Sequence, residues 1–479
     1  MVTTPRATAG PDARRWGVLL VLCGAIFLEG IDIAMLNVAL PSIRSDLGMS
    51  TGELQWVMSA YVLGYGGFML LGGRAADLFG RRRMFVLWLT VFLLFSGLGG
   101  LAGEGWTLIL ARFVTGVAAA FMTPAGLSLV TTGFAEGPER DKALLVYSGT
   151  AAGGFTVGLV AGGLLTAVHW RWVFFAPVLL AAVILAAAVV CVPRQARPER
   201  SGRRVDTAGA LTVTAALVLI VLGVERAAHT GAAVTAGTLL AGLALLGVFV
   251  LIERRSPEPL VRLGLLRSGP LVRANLMALL FAAAFFGFQF LVVLYLQELR
   301  GWSTLRTSLA MLVAGIDAVL SPTLTPRLVR RFGNARVITG GLLLAALAYG
   351  LFLPVGADWT YAAMFPSLLL VGLAFSLAYG PLTITATEGV AEDEQGVAGG
   401  LLYTAFQFGA ALGLSAVTAV AAHAGAGRLA GYRAGLLVPF AAVLVAVAVS
   451  VLGTRSRRAT VSAGEPEGEP TGKPDASRV

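Results

Sequence analysis

The sequence predicts an all-α protein that crosses a membrane many times. Of its 479 residues, 57% are hydrophobic and only 13% are charged, and the mean hydropathy is +0.81. A soluble domain carries about 25% charged residues, so this chain has too little charge to cover a water-exposed surface of its size. The apolar residues also fall in about 14 continuous runs, which predict transmembrane helices rather than the alternating strands of a barrel.

The first half of the chain contains six of these runs, each near the ~20 apolar residues that cross a bilayer. The first run is too long for the core of a signal peptide and lacks a small-residue cleavage site after it, so we expect it to be retained. The predicted spans are 16–40, 54–73, 84–102, 106–131, 143–168 and 172–192.

Two further runs lie in the middle of the chain, and six more fill the second half. The middle pair is 208–224 and 232–252, and the second set is 275–296, 305–324, 337–355, 361–385, 396–421 and 432–452. We therefore predict a cytoplasmic N-terminus (1–15), an N-terminal six-helix bundle (16–192), two linker transmembrane helices with basic cytoplasmic loops (193–274), a C-terminal six-helix bundle (275–453) and a disordered cytoplasmic tail (454–479). The tail is rich in Gly, Pro and Glu, a composition typical of disorder.

The basic residues predict which side of the membrane each loop faces. Cytoplasmic loops carry an excess of Lys and Arg. A cytoplasmic N-terminus places most basic residues in cytoplasmic loops, and an even number of spans returns the C-terminus to the same side. The net charge of +10 is then explained by topology and contact with anionic lipid rather than by nucleic acid. The main basic clusters are 14–15, 81–83, 194–204, 254–273, 327–336 and 455–458.

One cytoplasmic loop recurs in degenerate form in the second half. Residues 73–83 read GRAADLFGRRR and residues 326–336 read PRLVRRFGNAR, so basic positions and a Phe-Gly pair recur in register. Both loops fall between the second and third spans of a six-span set. Repeated halves are common in secondary transporters, which bind their substrate at the interface between the repeats.

Several motifs resemble those of one transporter family. The loop carrying Gly73, Asp77, Gly80 and Arg81 is similar to the signature G-x-x-x-D-x-x-G-R-[RK]-[RK]. Residues 28–41, LEGIDIAMLNVALP, resemble a first-helix motif, and residues 108–120 resemble a fourth-helix motif with a buried arginine, here Arg112. Shorter matches occur at 170–174 (WRWVF), 294–297 (LYLQ) and 407–409 (QFG).

Together these motifs resemble the major facilitator superfamily, and within it the 14-span drug:proton antiporters, over residues 16–452. The resemblance implies the major facilitator fold, with two six-helix bundles plus two extra central helices. It also implies a cytoplasmic gate built from the signature loop. The glycines of the fifth span resemble the exporter motif, which implies close helix packing at Gly154, Gly158, Gly162 and Gly163.

The chain departs from the family pattern at three positions. Leu159 replaces the proline of the exporter motif, so the usual kink of that helix is expected to be absent. Thr115 replaces the glutamine before Gly116, and Arg330 in the second-half loop stands where the first has Asp77. These departures concern the direction of transport more than the fold.

The sequence contains no motif for ATP hydrolysis or for a cofactor. Its two lysines, Lys142 and Lys473, lie in contexts that do not fit the Gly-Lys-Ser/Thr loop of an ATPase. An ion gradient is the remaining common energy source, and one proton moved through ~150 mV supplies roughly 3.5 kcal/mol. The three histidines have no metal-ligand spacing. We therefore predict no cofactor, no metal and no enzymatic activity.

Ionisable residues inside apolar spans are candidate functional groups, because charge within a membrane is costly. Glu29 and Asp32 lie one turn apart on the first span. We hypothesise that Asp32, together with Glu29, binds and releases the coupling proton, with Arg112 tuning proton affinity as the helices move. Alternatively, Asp32 and Arg112 simply pair to anchor two helices. Asp317 matches no family motif and is left open as a substrate contact, a second proton site or a hydrated polar residue.

Two further groups of side chains have alternative interpretations. Asp77 and the arginines after it fit a gate that faces the acidic residues at 392–394, although Arg82 and Arg83 fit positive-inside anchoring better. Aromatic residues at helical spacing on the first span of the second bundle fit either a substrate cavity or ordinary packing. The predicted cavity residues are Asn37, Phe285, Gln289, Tyr295, Asp317 and Gln407.

These patterns together predict a proton-coupled efflux transporter that works by alternating access. It would be a monomer in a bacterial cell membrane that exports bulky apolar or cationic compounds in exchange for protons. An ion-coupled nutrient importer of the same superfamily is the first alternative, because the exporter motif is altered at Leu159. A membrane enzyme or sensor is the second, although the chain carries no enzyme motif and no added soluble domain.

Overall fold

The computed structural model describes residues 11–193, 206–225, 231–256, 259, 261, 264–423 and 427–463. It contains 14 helices long and apolar enough to cross a membrane, as predicted. The side chain of Asn37 and the predicted basic cluster at 194–204 lie outside what the structure describes.

The N-terminal bundle consists of six long helices. They are α1 (Pro11–Leu47), α2 (Thr51–Phe79), α3 (Arg81–Gly100), α4 (Gly105–Gly133), α5 (Pro138–Val168) and α6 (Trp172–Cys191). Ser50 and Glu53 form a capping box at the start of α2, where the Ser50 hydroxyl accepts from the Glu53 amide at 3.2 Å. Helix α5 runs without a break through Leu159, in agreement with the missing proline.

A clasp joins the far end of α1 to the short loop between α5 and α6. One carboxylate oxygen of Asp46 accepts hydrogen bonds from Trp170 Nε1 at 2.8 Å and Arg171 Nη1 at 2.9 Å. The Arg171 guanidinium also donates to the Ala102 carbonyl after α3. These bonds lower the pKa of the Asp46 carboxyl below its usual value, the Trp170 bond being the main cause.

The two linker helices form a hairpin on one flank of the molecule. They are α7 (Thr207–Glu225) and α8 (Ala232–Arg255). Helix α7 packs on α2, where Gly66 and Gly67 leave room for Val221 and Val218. It also contacts the second bundle, because the Ser415 hydroxyl donates to the Val224 carbonyl at 3.0 Å.

The C-terminal bundle repeats the six-span pattern with one broken span. Its helices are α9 (Gly269–Leu294), α10 (Thr304–Met311), α11 (Asp317–Thr323), α12 (Thr325–Phe332), α13 (Asn334–Phe352), α14 (Tyr361–Thr387), α15 (Gln395–His423) and α16 (Arg428–Ala463). The predicted continuous span 305–324 is instead divided between α10 and α11 by a 3₁₀ turn, Leu312–Ile316. A β-carbon at Gly372 of α14 would overlap the Ala314 carbonyl, so α14 packs directly against the backbone of this turn.

The repeated loops have the same backbone geometry in both bundles. Gly80 and Gly333 each precede the third membrane span of their bundle, with φ of 96° and 81°. Glycine adopts these positive φ values without the steric cost of a β-carbon. The Phe-Gly pair that recurs in the sequence therefore marks the same turn twice.

The last helix is longer than predicted. Helix α16 continues to Ala463, whereas the tail was predicted to be disordered from residue 454. Arg455, Arg457, Arg458 and Ala459 are good helix formers, which explains why the helix outlasts its apolar residues. Residues 464–479 lie outside the described residues.

Candidate functional site

A central cavity lies between the two bundles. Its walls come from α1, α2 and α5 on one side and from α9 to α11, α14 and α15 on the other. The cavity volume is about 120 Å³, counted as the space that the centre of a water molecule can occupy. On the same measure, about 10–15 Å³ is enough for one water molecule. The cavity therefore has room for several water molecules at the interface where repeated transporters bind their substrate.

Glu29 of α1 is the acidic group of the N-terminal bundle that lines this cavity. The residue is 6% exposed. Its carboxylate accepts hydrogen bonds from the hydroxyl groups of Thr123 in α4 and Tyr65 in α2. Both donors are neutral hydroxyl groups, so neither of them neutralises a negative charge on the Glu29 carboxylate.

Asp32 and Arg112 form a buried ion pair behind the cavity wall. Arg112 Nη1 lies 2.6 Å from Asp32 Oδ2, and both residues are 2% exposed. The Arg112 guanidinium also lies 4.3 Å from the centre of the Tyr61 ring. Asp32 is not among the residues lining the cavity. The contact required by both sequence interpretations is thus formed, and it joins α1 to α4.

Asp317 is the acidic group contributed by the C-terminal bundle. It is the first residue of α11, directly after the 3₁₀ turn, and it is 3% exposed. It lines the cavity, and its Oδ2 has no hydrogen-bond partner within the protein. The backbone amides of Asp317 and Ala318 lie beside its carboxylate. Asp317 and Glu29 therefore reach one cavity from opposite halves of the molecule.

Aromatic rings form the wall of the cavity on the C-terminal side. Phe285 of α9 lies 4.5 Å from Phe375 of α14, measured between ring centres, and Tyr379 lies 4.9 Å from Phe406. The predicted residues Gln289 and Gln407 also line the cavity. An apolar wall with a few polar groups is typical of small-molecule sites.

The prediction that Tyr295 lines the cavity is wrong. The helix becomes π-helical at Tyr295, and the hydroxyl donates to the Gly356 carbonyl at 2.7 Å, away from the residues that line the cavity. Phe288, which belongs with Phe285 and Tyr295 to the stripe of aromatic residues at helical spacing on this helix, packs on Tyr349 and Phe352 within the C-terminal bundle. Helical spacing identified the stripe but could not show which of its residues face the other half.

The predicted gate residue Asp77 lies against a helix start of the opposite bundle. Its two carboxylate oxygens accept from the backbone amides of Gly396 and Val397, each at 3.2 Å, at the beginning of α15. Gly73 faces the Gly396 carbonyl so closely that a β-carbon at Gly73 would overlap it. This end of the interface, the end predicted to be cytoplasmic, is therefore closed.

Two arginines, Arg81 and Arg140, add further contacts at this closed end, and together with Asp77 they form what we call the Asp77 layer. Arg81 donates to the carbonyl and carboxylate of Glu392, as the predicted gate requires. Arg140 of α5 donates to the Thr387 carbonyl at 3.1 Å and to Gln395 at 3.3 Å. Arg140 could not be predicted as a gate residue, because it precedes the predicted span 143–168, where a basic residue is explained by positive-inside anchoring alone. Arg82 instead donates to carbonyls at the end of α6, within its own bundle.

Three of the four motif glycines pack α5 against α1. A β-carbon at Gly154, Gly158 or Gly162 would overlap atoms of α1 around Phe27, Ile31 and Met35 respectively. Gly163 differs, because its nearest neighbour is Leu305 of α10 at 3.9 Å. The prediction of close packing therefore fails at Gly163, which faces the other half with space to spare.

Comparisons with known proteins agree with this geometry. A sequence profile of the Major Facilitator Superfamily matches residues 22–414. The puromycin resistance protein of Streptomyces alboniger is 38% identical over 88% of this chain and 85% of its own. The cephamycin export protein of Amycolatopsis lactamdurans is 35% identical over 90% of each chain. The lincomycin resistance protein of Streptomyces lincolnensis is 32% identical over 86% of this chain and 85% of its own.

A solved structure has the same fold. The human organic anion transporter MFSD10 (TETRAN) superposes with a TM-score of 0.64, covering 92% of this chain and 98% of its own at 16% sequence identity. The predicted family and fold are confirmed. The chain belongs to the Major Facilitator Superfamily, and it is a multi-pass membrane transporter rather than an enzyme.

Proposed function

We propose that this transporter exports antibiotic-like compounds from a bacterial cell in exchange for protons, by alternating access. The proposal takes its substrate class from relatives named for resistance to puromycin and lincomycin and for export of cephamycin. It takes both termini as cytoplasmic from the distribution of basic loops. We further propose that the chain works as a monomer in contact with anionic lipid.

The observation that carries the proposal is the arrangement of Glu29 and Asp317. The two carboxyl groups come from opposite bundles and line one cavity, which the Asp77 layer closes on the cytoplasmic side. A buried carboxylate without a paired cation is costly and is relieved by binding a proton or a cationic substrate. Competition between proton and substrate at these acids would couple the two fluxes.

The Asp32–Arg112 pair has a supporting role in this proposal. Because Arg112 already neutralises Asp32 at 2.6 Å, we assign the exchangeable proton first to Glu29. Glu29 lies one turn before Asp32 on the same helix, so a movement of α1 relative to α4 alters both sites. Arg112 would then hold α1 in place and set the electrostatic field near Glu29.

The coupling step is tested with Glu29→Gln and Asp317→Asn in proteoliposomes. An imposed pH gradient should drive uptake of a fluorescent antibiotic or dye by the parent protein, and Glu29→Gln should reduce this uptake at least tenfold. Glu139→Gln, an exposed acid in the first turn of α5, is the matched control. Full pH-driven uptake by Glu29→Gln and Asp317→Asn together would contradict the proposal.

The direction of transport is tested in a pump-deficient bacterium. Expression should raise resistance to at least one compound in a panel of antibiotics and dyes, and an uncoupler should abolish the effect. Resistance that survives collapse of the proton gradient would exclude proton coupling. Faster accumulation of the compound in expressing cells would instead indicate an importer.

A further inference from the structure

Three buried tyrosines meet at the floor of the cavity where the two bundles join. Tyr147 belongs to α5 in the N-terminal bundle, and Tyr379 and Tyr403 belong to α14 and α15 in the C-terminal bundle. The Tyr403 hydroxyl lies within reach of those of both Tyr147 and Tyr379. Tyr379 and Tyr403 line the cavity, so the contact between Tyr403 and Tyr147 crosses between the halves at the edge of the cavity.

The tyrosines form a second layer of contacts between the halves, parallel to the Asp77 layer. Tyr147 follows Arg140 on α5, Tyr403 follows Gln395 on α15, and Tyr379 precedes Thr387 on α14, each by about two helical turns. Two turns correspond to roughly 11 Å along the helix axis. The same three helices thus meet twice, once at the cytoplasmic surface through Arg140 and once at the cavity floor through Tyr403.

Close packing around the tyrosines leaves little room for water when the layer is closed. The Tyr147 hydroxyl lies 3.1 Å from where a β-carbon of Gly126 would stand, and Gly399 of α15 faces Leu127 of α4. Tyr379 is also held by Phe375 and Phe406, with ring centres 5.0 and 4.9 Å away. The hydroxyl groups therefore meet in a tightly packed contact whose partners separate if the halves part.

We propose that Tyr147, Tyr379 and Tyr403 form an inner gate, which seals the floor of the cavity from the cytoplasm separately from the Asp77 layer. The inference rests on the proposed alternating access and adds its second cytoplasmic barrier. An exchange transporter must keep its proton site from reaching both sides at once, and two closed layers in series achieve this. Tyr403 is a positioning residue here: it holds the two halves together and does not carry the proton.

The test measures how easily the cytoplasmic half opens. Ser148→Cys, next to Tyr147, serves as the reporter because Ser148 is buried and its hydroxyl makes no hydrogen bond. The native Cys23 and Cys191 are first replaced by serine. Labelling by N-ethylmaleimide is then timed on the purified full-length transporter without substrate or a proton gradient.

Tyr403→Phe removes one hydroxyl and keeps the ring, and we expect it to speed labelling of the reporter about 2- to 10-fold, the effect of losing one hydrogen bond. Tyr147→Phe should have the same effect, and the double variant should add little. Tyr349→Phe is the matched control, since Tyr349 is 1% exposed but packs on Phe288 inside the C-terminal bundle. A thermal melt of each variant checks that the fold is retained.

Two outcomes separate this inference from the proposed function. Equal labelling rates for Tyr403→Phe, Tyr147→Phe and Tyr349→Phe, with Asp77→Ala still increasing labelling, would overturn the inner gate and leave alternating access standing. Labelling that no variant and no saturating substrate changes would contradict alternating access itself.

Discussion

The three acids near the centre of the molecule differ in what lies beside each carboxylate. Asp32 has a guanidinium at 2.6 Å, Glu29 has two neutral hydroxyl donors, and Asp317 has one oxygen without a partner in the protein. Sequence alone grouped Asp32 with Glu29, because they share a helix. Both bond to α4, but the structure separates them, since Asp32 pairs with Arg112 behind the cavity wall whereas Glu29 bonds to Thr123 and lines the cavity.

The buried ion pair predicts a large effect of a small substitution. Asp32→Asn keeps the side-chain shape but leaves the Arg112 charge buried without its partner, so we expect a loss of about 3–5 kcal/mol in stability. Asp32→Asn combined with Arg112→Met should recover part of this loss. Thermal unfolding in detergent, followed by size-exclusion chromatography, measures both variants. An unchanged melting temperature for Asp32→Asn would show that the pair contributes no stability.

The Asp46 clasp predicts a pH-dependent contribution to stability. Because its hydrogen bonds lower the pKa of Asp46 below the usual 3.8, the contribution is present at neutral pH and is lost as pH falls through the lowered pKa. Asp46→Asn should therefore melt at a lower temperature than the parent at pH 7, with a difference that shrinks below about pH 4. Melting curves across pH test this, and a constant difference at all pH values would contradict it.

At the scale of helices, close backbone approach explains where glycine is needed. Helices α1 and α5 meet through Gly154, Gly158 and Gly162, and Gly30 of α1 fits against the Phe155 backbone in return. Small residues at such crossings let membrane helices pack closely. The motif predicted this contact correctly at three positions, because a spacing of four residues keeps them on one face.

A matched pair of alanine substitutions tests this packing. Gly158→Ala places a β-carbon 2.8 Å from the Ala34 β-carbon, so we expect a loss of about 1–3 kcal/mol. Gly163→Ala has its nearest neighbour at 3.9 Å and should be neutral or slightly stabilising, because alanine favours the helix. Melting temperatures in the same detergent compare the two. Equal losses would mean that the α1–α5 crossing is not the cause.

Most helices could be predicted from the sequence, whereas the broken span could not. Long apolar runs and basic loops are local features, so they fix spans and turns such as those at Gly80 and Gly333. The break at Leu312–Ile316 depends on how closely α14 approaches through Gly372, which no local pattern records. Arg140 and Tyr147 escaped prediction for the same reason, since Thr387 and Tyr403, which they meet across the interface, lie more than 200 residues away.

At the scale of the whole molecule, charged and polar contacts close the interface between the halves at the end that we propose is cytoplasmic. Asp77 and Arg81 hold the first bundle to the region around Glu392 and Val397, and Arg140 holds it to Thr387. These contacts involve few atoms compared with the packing inside each bundle. The halves are thus the natural rigid units of a rearrangement.

Removing the Asp77 carboxylate should shift the molecule toward a state open to the cytoplasm. Asp77→Ala deprives the Gly396 and Val397 amides of their acceptor, and a charged hydrogen bond contributes about 1.5–3 kcal/mol. We expect labelling of the Ser148→Cys reporter to rise about tenfold or more. Glu139→Ala, an exposed acid nearby, is the control. Labelling that stays at the parental rate would remove Asp77 from the gate.

The α7–α8 hairpin makes the two sides of the transporter mechanically unequal. Helix α7 packs against Gly66 and Gly67 of one half and accepts a hydrogen bond from Ser415 of the other. It therefore bridges the contact between α2 and α15. Among the described residues, no comparable helix bridges the contact between α5 and α11 on the other side of the molecule. When the halves separate, either the hydrogen bond from Ser415 breaks or the halves rotate about the side that α7 bridges. Such a rotation would open the contact between α5 and α11 first.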